Sequence, residues 1–345
     1  MDKTSGSLHY EFDFKPEIGE AVDILPGVKW LRLPLPFMLG HINVWLLQDG
    51  DGWAIVDTGI GSQESRDVWS GLFAHTLKTS KPSRVLVTHM HPDHVGCAGW
   101  LCEHFGIELS MSRDEYLLCR VLVSDTGRPV PEEGKHFYRA AGFSEKQLLL
   151  YEKMFGGFGK MVSPLPQSFQ RMQHGDLLNI GEQQWQVVVG SGHSPEHACL
   201  FCPDLNVLIS GDQILPTISS NVSVFPTEPY ANPLQEWLLS LNRLKTELPD
   251  DVLVLPAHGK PFRGAKHRLD HLIKGHQNGL DKMREFCRKP CRAVDLFPVL
   301  FKSKISDHNH MMAAGEALAH IHYLQNRGEI QIERIEDGVR WYKTT

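Results

Sequence analysis

Thr88-His89-Met90-His91-Pro92-Asp93-His94 sets three histidines and an aspartate within six positions. The run before it, Ser83-Arg84-Val85-Leu86-Val87-Thr88, is apolar and β-branched and follows the breaker Lys81-Pro82, so it reads as a short buried strand. Side chains at i and i+2 of a strand point to the same side. His89 and His91 at its end can therefore face one metal ion. The chain turns at Pro92 and offers Asp93 and His94 to a neighbouring position. Two nitrogens on one ion, with a mixed oxygen and nitrogen pair beside it, suit zinc, or iron or manganese in its place. The competing reading is a histidine-rich surface loop. The chain holds 19 histidines, but scattered histidines do not cluster in this way.

Three more positions share one context, a polar residue delivered by the C-terminal end of an apolar strand: His193, Asp212 and His258. Loops at strand ends are where open-sheet folds place function. With the first cluster they make five histidines and two aspartates. That set can hold two adjacent ions: His89, His91 and His193 on one, and Asp93, His94 and His258 on the other. Asp212 bridges them, because a carboxylate can give one oxygen to each ion.

The other elements follow in order. Residues 1–25 read as a loosely packed lead-in. Strands are expected over 28–33, 42–47 and 53–56, the last two joined by the turn Asp49-Gly50-Asp51-Gly52. Helices are expected over 65–74 and 95–105. Residues 111–175 interrupt this rhythm with a helical insert rich in aromatic side chains, a candidate lid in which Tyr138 and Phe155 are candidate substrate contacts. Strands resume over 185–189, 198–202, 207–210 and 252–255, with a helix over 233–248 before the last. Beyond residue 263 the pattern changes to three helices (266–286, 292–301, 308–327) and a terminal hairpin, the outline of a small winged-helix module.

The order Asp57-Thr58-Gly59, His89-x-His91-x-Asp93-His94, Gly192-His193, Gly211-Asp212 and His258-Gly259 resembles the metallo-β-lactamase-fold hydrolase superfamily over residues 28–262. The resemblance implies an α+β fold, a four-layer αβ/βα sandwich with the metals at one edge, over a catalytic domain of residues 1–263. Residues 264–345 resemble the winged-helix extension of a lactamase-like branch that includes a mitochondrial endoribonuclease. Asp212 stands where some true metallo-β-lactamases carry cysteine, which matches the glyoxalase II-like, lactonase and nuclease branches. Asp57 is expected to hold a ligand loop in place. His197 is expected to support the site without ligating, and the remaining histidines to be solvent or packing residues.

The expected function is hydrolysis by a hydroxide shared between two zinc ions, with Asp93 orienting it and passing a proton to the leaving group. A small acyl thioester or ester is the leading substrate, with single-strand RNA or a lactone as alternatives. A formal charge of −6 gives no support to a broad nucleic-acid footprint. The C-terminal module is instead expected to pack on the catalytic domain or on a second copy in a homodimer. The N-terminus has no apolar signal core and no run approaches ~18 apolar residues, so a cytoplasmic protein that does not span a membrane is expected. Seven cysteines without a regular framework read as reduced thiols, including the buried pair Cys199 and Cys202.

Overall fold

The structure, a computed structural model, describes residues 8–37 and 39–345. Met38 and residues 1–7, which include the stretch read for a signal peptide, lie outside the described residues. Two sheets face each other. The first has seven strands in chain order: β1 (Ala21–Leu25), β2 (Val28–Pro34), β3 (His41–Asp49), β4 (Gly52–Val56), β5 (Pro82–Leu86), β6 (Glu108–Met111) and β7 (Gln170–Arg171). The second runs β12-β11-β10-β9-β8, from β8 (Leu177–Ile180), β9 (Gln183–Gly190), β10 (His197–Cys202), β11 (Val207–Gly211) and β12 (Leu253–Pro256). The hairpin of β13 (Ile330–Glu336) and β14 (Val339–Thr344) stands apart from both.

Helices cover the outer faces: α1 (Gln63–Gly71), α2 (Pro92–Val95), α3 (Ala98–Phe105), α4 (Arg113–Ser124), α5 (Glu132–Ala140), α6 (Glu145–Met154), α7 (Pro233–Glu247), α8 (Ala265–Phe286), α9 (Phe297–Leu300) and α10 (His310–Asn326). Three apolar clusters fill the layers. Trp30, Trp45, Val56, Trp185, Val187 and Leu255 are among those meeting between the sheets. Ile55 and Val85 of the first sheet pack outward against Trp69, Ala98 and Leu101. Val188, Leu208 and Val254 of the second pack against Trp237, Leu269 and Ala317. Alternate residues of one strand thus serve different layers, as the strand period requires. The result is the expected αβ/βα sandwich.

A buried asparagine fastens the two sheets. Asn43, on β3, donates from Nδ2 to the carbonyls of Pro256 and Gly259, 2.8 Å each, and accepts from Trp30 Nε1 at 2.9 Å. Its own N–H donates to the Ala257 carbonyl at 2.7 Å.

Several expectations are corrected. The described part of the lead-in is not loose: β1 pairs with β2, and His9 pairs with Arg263. β5 ends at Leu86, so the strand period does not aim His89 and His91. They lie in the irregular loop beyond it. The helix expected over 95–105 breaks into α2 and α3, and the one over 292–301 is a 3-10 turn followed by the four residues of α9. Residues 264–345 share one buried cluster with the insert and the second sheet. Tyr138, Phe143 and Tyr151 are in it together with Leu296, Leu318 and Tyr342. Tyr138 is 4% exposed, with its ring against Phe143 and Tyr151, and Phe155 packs half-buried on the same cluster. The substrate role expected of these rings gives way to a packing role. Two of the insert's three α-helices, α5 and α6, carry Tyr138 and Tyr151 and are part of the fold's packing. No described helix is long and apolar enough to cross a membrane.

Candidate metal centre

The loop after β5 carries four of the seven expected ligands. Its shape is imposed by two buried carboxylates from outside it. Asp57, just past β4, sits at φ 61°, a left-handed conformation that aspartate tolerates better than most residues. Its Oδ1 accepts from the Thr88 N–H at 2.8 Å, and its Oδ2 accepts from the Thr88 hydroxyl and from His94 Nδ1, both at 2.8 Å. Glu115, in the first turn of α4, accepts from the N–H groups of Met90 and Glu196, 2.9 Å each. Burial raises the Glu115 carboxyl, against the pull of Ser194 and those two amides.

The outer nitrogens of His89, His193 and His258 are also engaged. His193 Nδ1 donates to the Asn221 carbonyl at 2.7 Å, and His258 Nδ1 to the His41 carbonyl at 3.1 Å. His89 Nδ1 lies 3.1 Å from the Thr88 hydroxyl. These bonds leave Nε2 of His89, His94, His193 and His258 with a free lone pair turned inward, the arrangement a metal ligand needs. His91 turns its Nδ1 inward instead, 2.9 Å from His89 Nε2 and 3.0 Å from His193 Nε2.

Three ligand groups converge: His89, His91 and His193; Asp93, His94 and His258; and His89, His94 and Asp212. Asp212 spans the first two. Its Oδ2 lies 3.4 Å from His193 Nε2, and its Oδ1 lies 3.5 Å from His94 Nε2 and 3.6 Å from His258 Nε2. Asp93 Oδ2 is 3.3 Å from His258 Nε2. His94 Nε2 and Asp212 Oδ1 are buried with no hydrogen-bond partner among the described residues. Lone pairs that meet one another in a buried space, beside orphaned polar atoms, fit divalent cations.

Electrostatics agree with this fit. Burial, with the His94 and His197 rings nearby, holds His89 well below its usual value, and burial with His193 lowers His91 to about 3, so both rings are neutral and able to ligate. Burial opposes charge on His94, but Asp57, Asp93 and Asp212 hold it well above its usual value, so these carboxylates favour a positive charge there, and an ion ligated by Nε2 would take the place of that proton. Burial likewise opposes ionisation of Asp212, yet His258 and His94 keep it well below the carboxylate range.

His197 is placed as a support. Its ring stacks on His89 with centroids 4.6 Å apart, and its Nε2 accepts from the Asp212 N–H at 3.0 Å. Gly211 makes room for it. A Cβ there would come within 2.6 Å of the His197 ring, and the residue sits at φ 48°. All seven expected ligands therefore come together, with Asp57 and His197 against them. Glu115 and Asn221 are supports that the sequence reading missed. An acid in a helix's first turn is ordinary on dipole grounds alone, so Glu115 carries no local signal.

A family model described as the metallo-beta-lactamase superfamily matches residues 38–258. The chain belongs to that superfamily. A second model, the metallo-beta-lactamase-like C-terminal domain, matches residues 280–345. The crystal structure of a beta-lactamase domain protein from Burkholderia ambifaria is similar over 100% of both chains, with 39% identity and a TM-score of 0.91. The probable metallo-hydrolase YqjP of Bacillus subtilis (strain 168) is 25% identical, over 84% of this chain and 92% of that protein. The acyl-coenzyme A thioesterase MBLAC2 of Homo sapiens is 24% identical, over 68% of this chain and 79% of that protein. This superfamily member is thus a metallo-hydrolase with candidate metal-binding clusters of histidine and aspartate.

Proposed function

We propose that this chain hydrolyses a thioester or ester of a small acyl compound with two divalent ions, zinc in first place and iron or manganese as alternatives. The observation that carries the reading is Asp212, which turns one carboxylate oxygen toward each group of histidines. His89, His91 and His193 would hold one ion, and Asp93, His94 and His258 the other. Bound there, the ions supply Lewis acidity and a nucleophile drawn from water at neutral pH. Asp93 would orient that water and then carry its proton to the leaving group. Asp57 fixes the ring of His94, and His197 fixes the backbone of Asp212, so neither carboxylate nor imidazole has to reorganise during the reaction.

Covalent catalysis by cysteine is a poor fit. All seven thiols are buried, and burial pushes Cys97, Cys102 and Cys119 up to about 12. The substrate class draws support from the human relative's name and from the absence of a basic excess in the chain. The test is a panel of acyl-coenzyme A, glutathione thioesters, lactones and single-stranded RNA, before and after chelation. The expected result is thioester turnover that chelation abolishes, re-added metal restores and ionic strength barely alters. RNA cleavage that falls steeply with salt, without thioester turnover, would reassign the chain as a nuclease. Turnover confined to lactones would reassign it as a lactonase.

A further inference from the structure

The loop that follows Asp212 is held from an unexpected direction. Its residues return past the metal centre so that the Asn221 carbonyl receives His193 Nδ1–H, and the Ser220 hydroxyl donates to the Asp212 carbonyl. Among the described residues, no strand beside the His193 loop holds the Asn221 side chain. Its side chain instead donates from Nδ2 to Glu316 Oε2, 2.7 Å away on α10. Ser223 Oγ lies 2.5 Å from Asn221 Oδ1 and 3.2 Å from the Met312 carbonyl of the same helix. The Val224 N–H donates to the Gly315 carbonyl at 3.1 Å. A Cβ on Gly315 would come within 2.7 Å of Ser223, so the glycine lets the helix and the loop touch. Further back along the loop, Arg268 of α8 donates to the carbonyls of Leu215 and Ile218, at 2.6 and 2.7 Å.

We propose that Glu316 is a positioning residue for His193, acting through Asn221, so that the C-terminal helix α10 completes one half of the metal centre. This rests on the dinuclear reading above. The acid stands among Ala313, Ala314, Gly315, Ala317 and Leu318, all buried, on a helix that otherwise serves packing. A carboxylate in such a place is disfavoured unless it is hydrogen-bonded, and Asn221 supplies that bond. Bonds to the outer nitrogen of a ligating imidazole fix its orientation, and losing such support weakens metal binding by roughly 10–100-fold. Here the support is two bonds long, and its far end lies in a segment that contributes no ligand.

The test uses the full chain, stripped of metal and titrated with zinc against a competing chelator, with affinities read for both ions. The wild type should bind two ions. Glu316→Leu should weaken one of them by roughly 10–100-fold and leave the other within about twofold. Glu316→Gln keeps an acceptor for Asn221 Nδ2 and should rescue binding to within about threefold. Asn221→Ala should reproduce Glu316→Leu, and the double variant should be no weaker than either single one, because both break the same link. If Glu316→Leu does not fold, Asn221→Ala and Glu316→Gln carry the comparison. Unchanged affinities in Glu316→Leu or Asn221→Ala, equal weakening of both ions, or no rescue by Gln would each overturn the proposal while leaving the dinuclear reading intact. A wild type that binds no ion would overturn both.

Discussion

The loop from Thr88 to His94 and the loop from Asp212 to Phe225 feed the same centre but are held in opposite ways. The first carries four candidate ligands, and its clamps, Asp57 and Glu115, lie within 31 and 25 residues of the amides they hold. The second carries one candidate ligand and holds another by a backbone carbonyl. Its own clamps, Arg268 and Glu316, lie 53 and 95 residues away. Chemistry is concentrated in one loop and dependence on the rest of the fold in the other. A metal centre can therefore fail from either side, and the two failures should look different.

The largest expected contrast is between two aspartates. Asp212→Ala removes the one group that faces both sets of histidines, so dialysed protein should retain fewer than two ions per chain and lose its hydrolysis. Asp93→Asn should retain much of the metal yet lose turnover by roughly 10²–10⁴-fold, since an amide cannot carry the proton. Elemental analysis beside initial rates separates the two, and a fully active Asp93→Asn would remove Asp93 from proton transfer.

An intermediate contrast sharpens the comparison of the loops themselves. Glu115→Leu orphans the buried N–H groups of Met90 and Glu196, at a cost of about 1–3 kcal/mol each in stability. Arg268→Leu leaves the carbonyls of Leu215 and Ile218 without their donor and should cost a similar amount. Denaturant midpoints measure both. If the loops are held this way, Glu115→Leu also disturbs the ligands of the Thr88–His94 loop, whereas Arg268→Leu disturbs Asp212 and His193. Identical metal-binding profiles for the two variants would break the comparison.

The smallest effect is a pH dependence. Burial raises the Glu316 carboxyl to about 7 from an ordinary 4.5, against the Asn221 bond and the nearby His193. The folded protein keeps this proton where the unfolded chain has released it. Stability therefore falls as pH rises from 4.5 to 7, and the loss is complete above that window. Metal-depleted wild type should match Glu316→Gln below pH 4.5 and be less stable than it above pH 7, by on the order of 1–3 kcal/mol. Urea midpoints across that range give the answer, and parallel curves would show that Glu316 does not titrate this way.

The same division explains what was legible in the sequence. His89, His91, Asp93, His94, His193, Asp212 and His258 could be read because each follows an apolar strand and lies close to glycine, proline or another ligand, a local pattern. The sandwich could be read because strand and helix periods are local as well. Glu115, Asn221, Arg268 and Glu316 do their work through partners far along the chain, and no spacing rule joins them. Two of them left a trace. Arg268 interrupts the inward stripe of Ala265, Leu269 and Leu272, and Glu316 interrupts a run of small apolar residues. A charge on a buried helix face asks for a partner, although it does not say which. The aromatic insert misled for the opposite reason: rings exposed to a substrate and rings that fill a core have the same composition, and Tyr138 belongs to the second kind.

The asparagine bolt between the sheets has a kinetic consequence. Asn43 closes on Pro256 across 213 residues, and this contact brings the His258 loop against the first sheet. Contacts of such separation carry the full entropy of loop closure and form slowly. During synthesis the Thr88–His94 loop leaves the ribosome long before its last partner exists, and the strands of the second sheet must assemble in between. The complete set of ligands is thus expected late in folding, and metal loading should follow the docking of β12 rather than the appearance of the histidine motif.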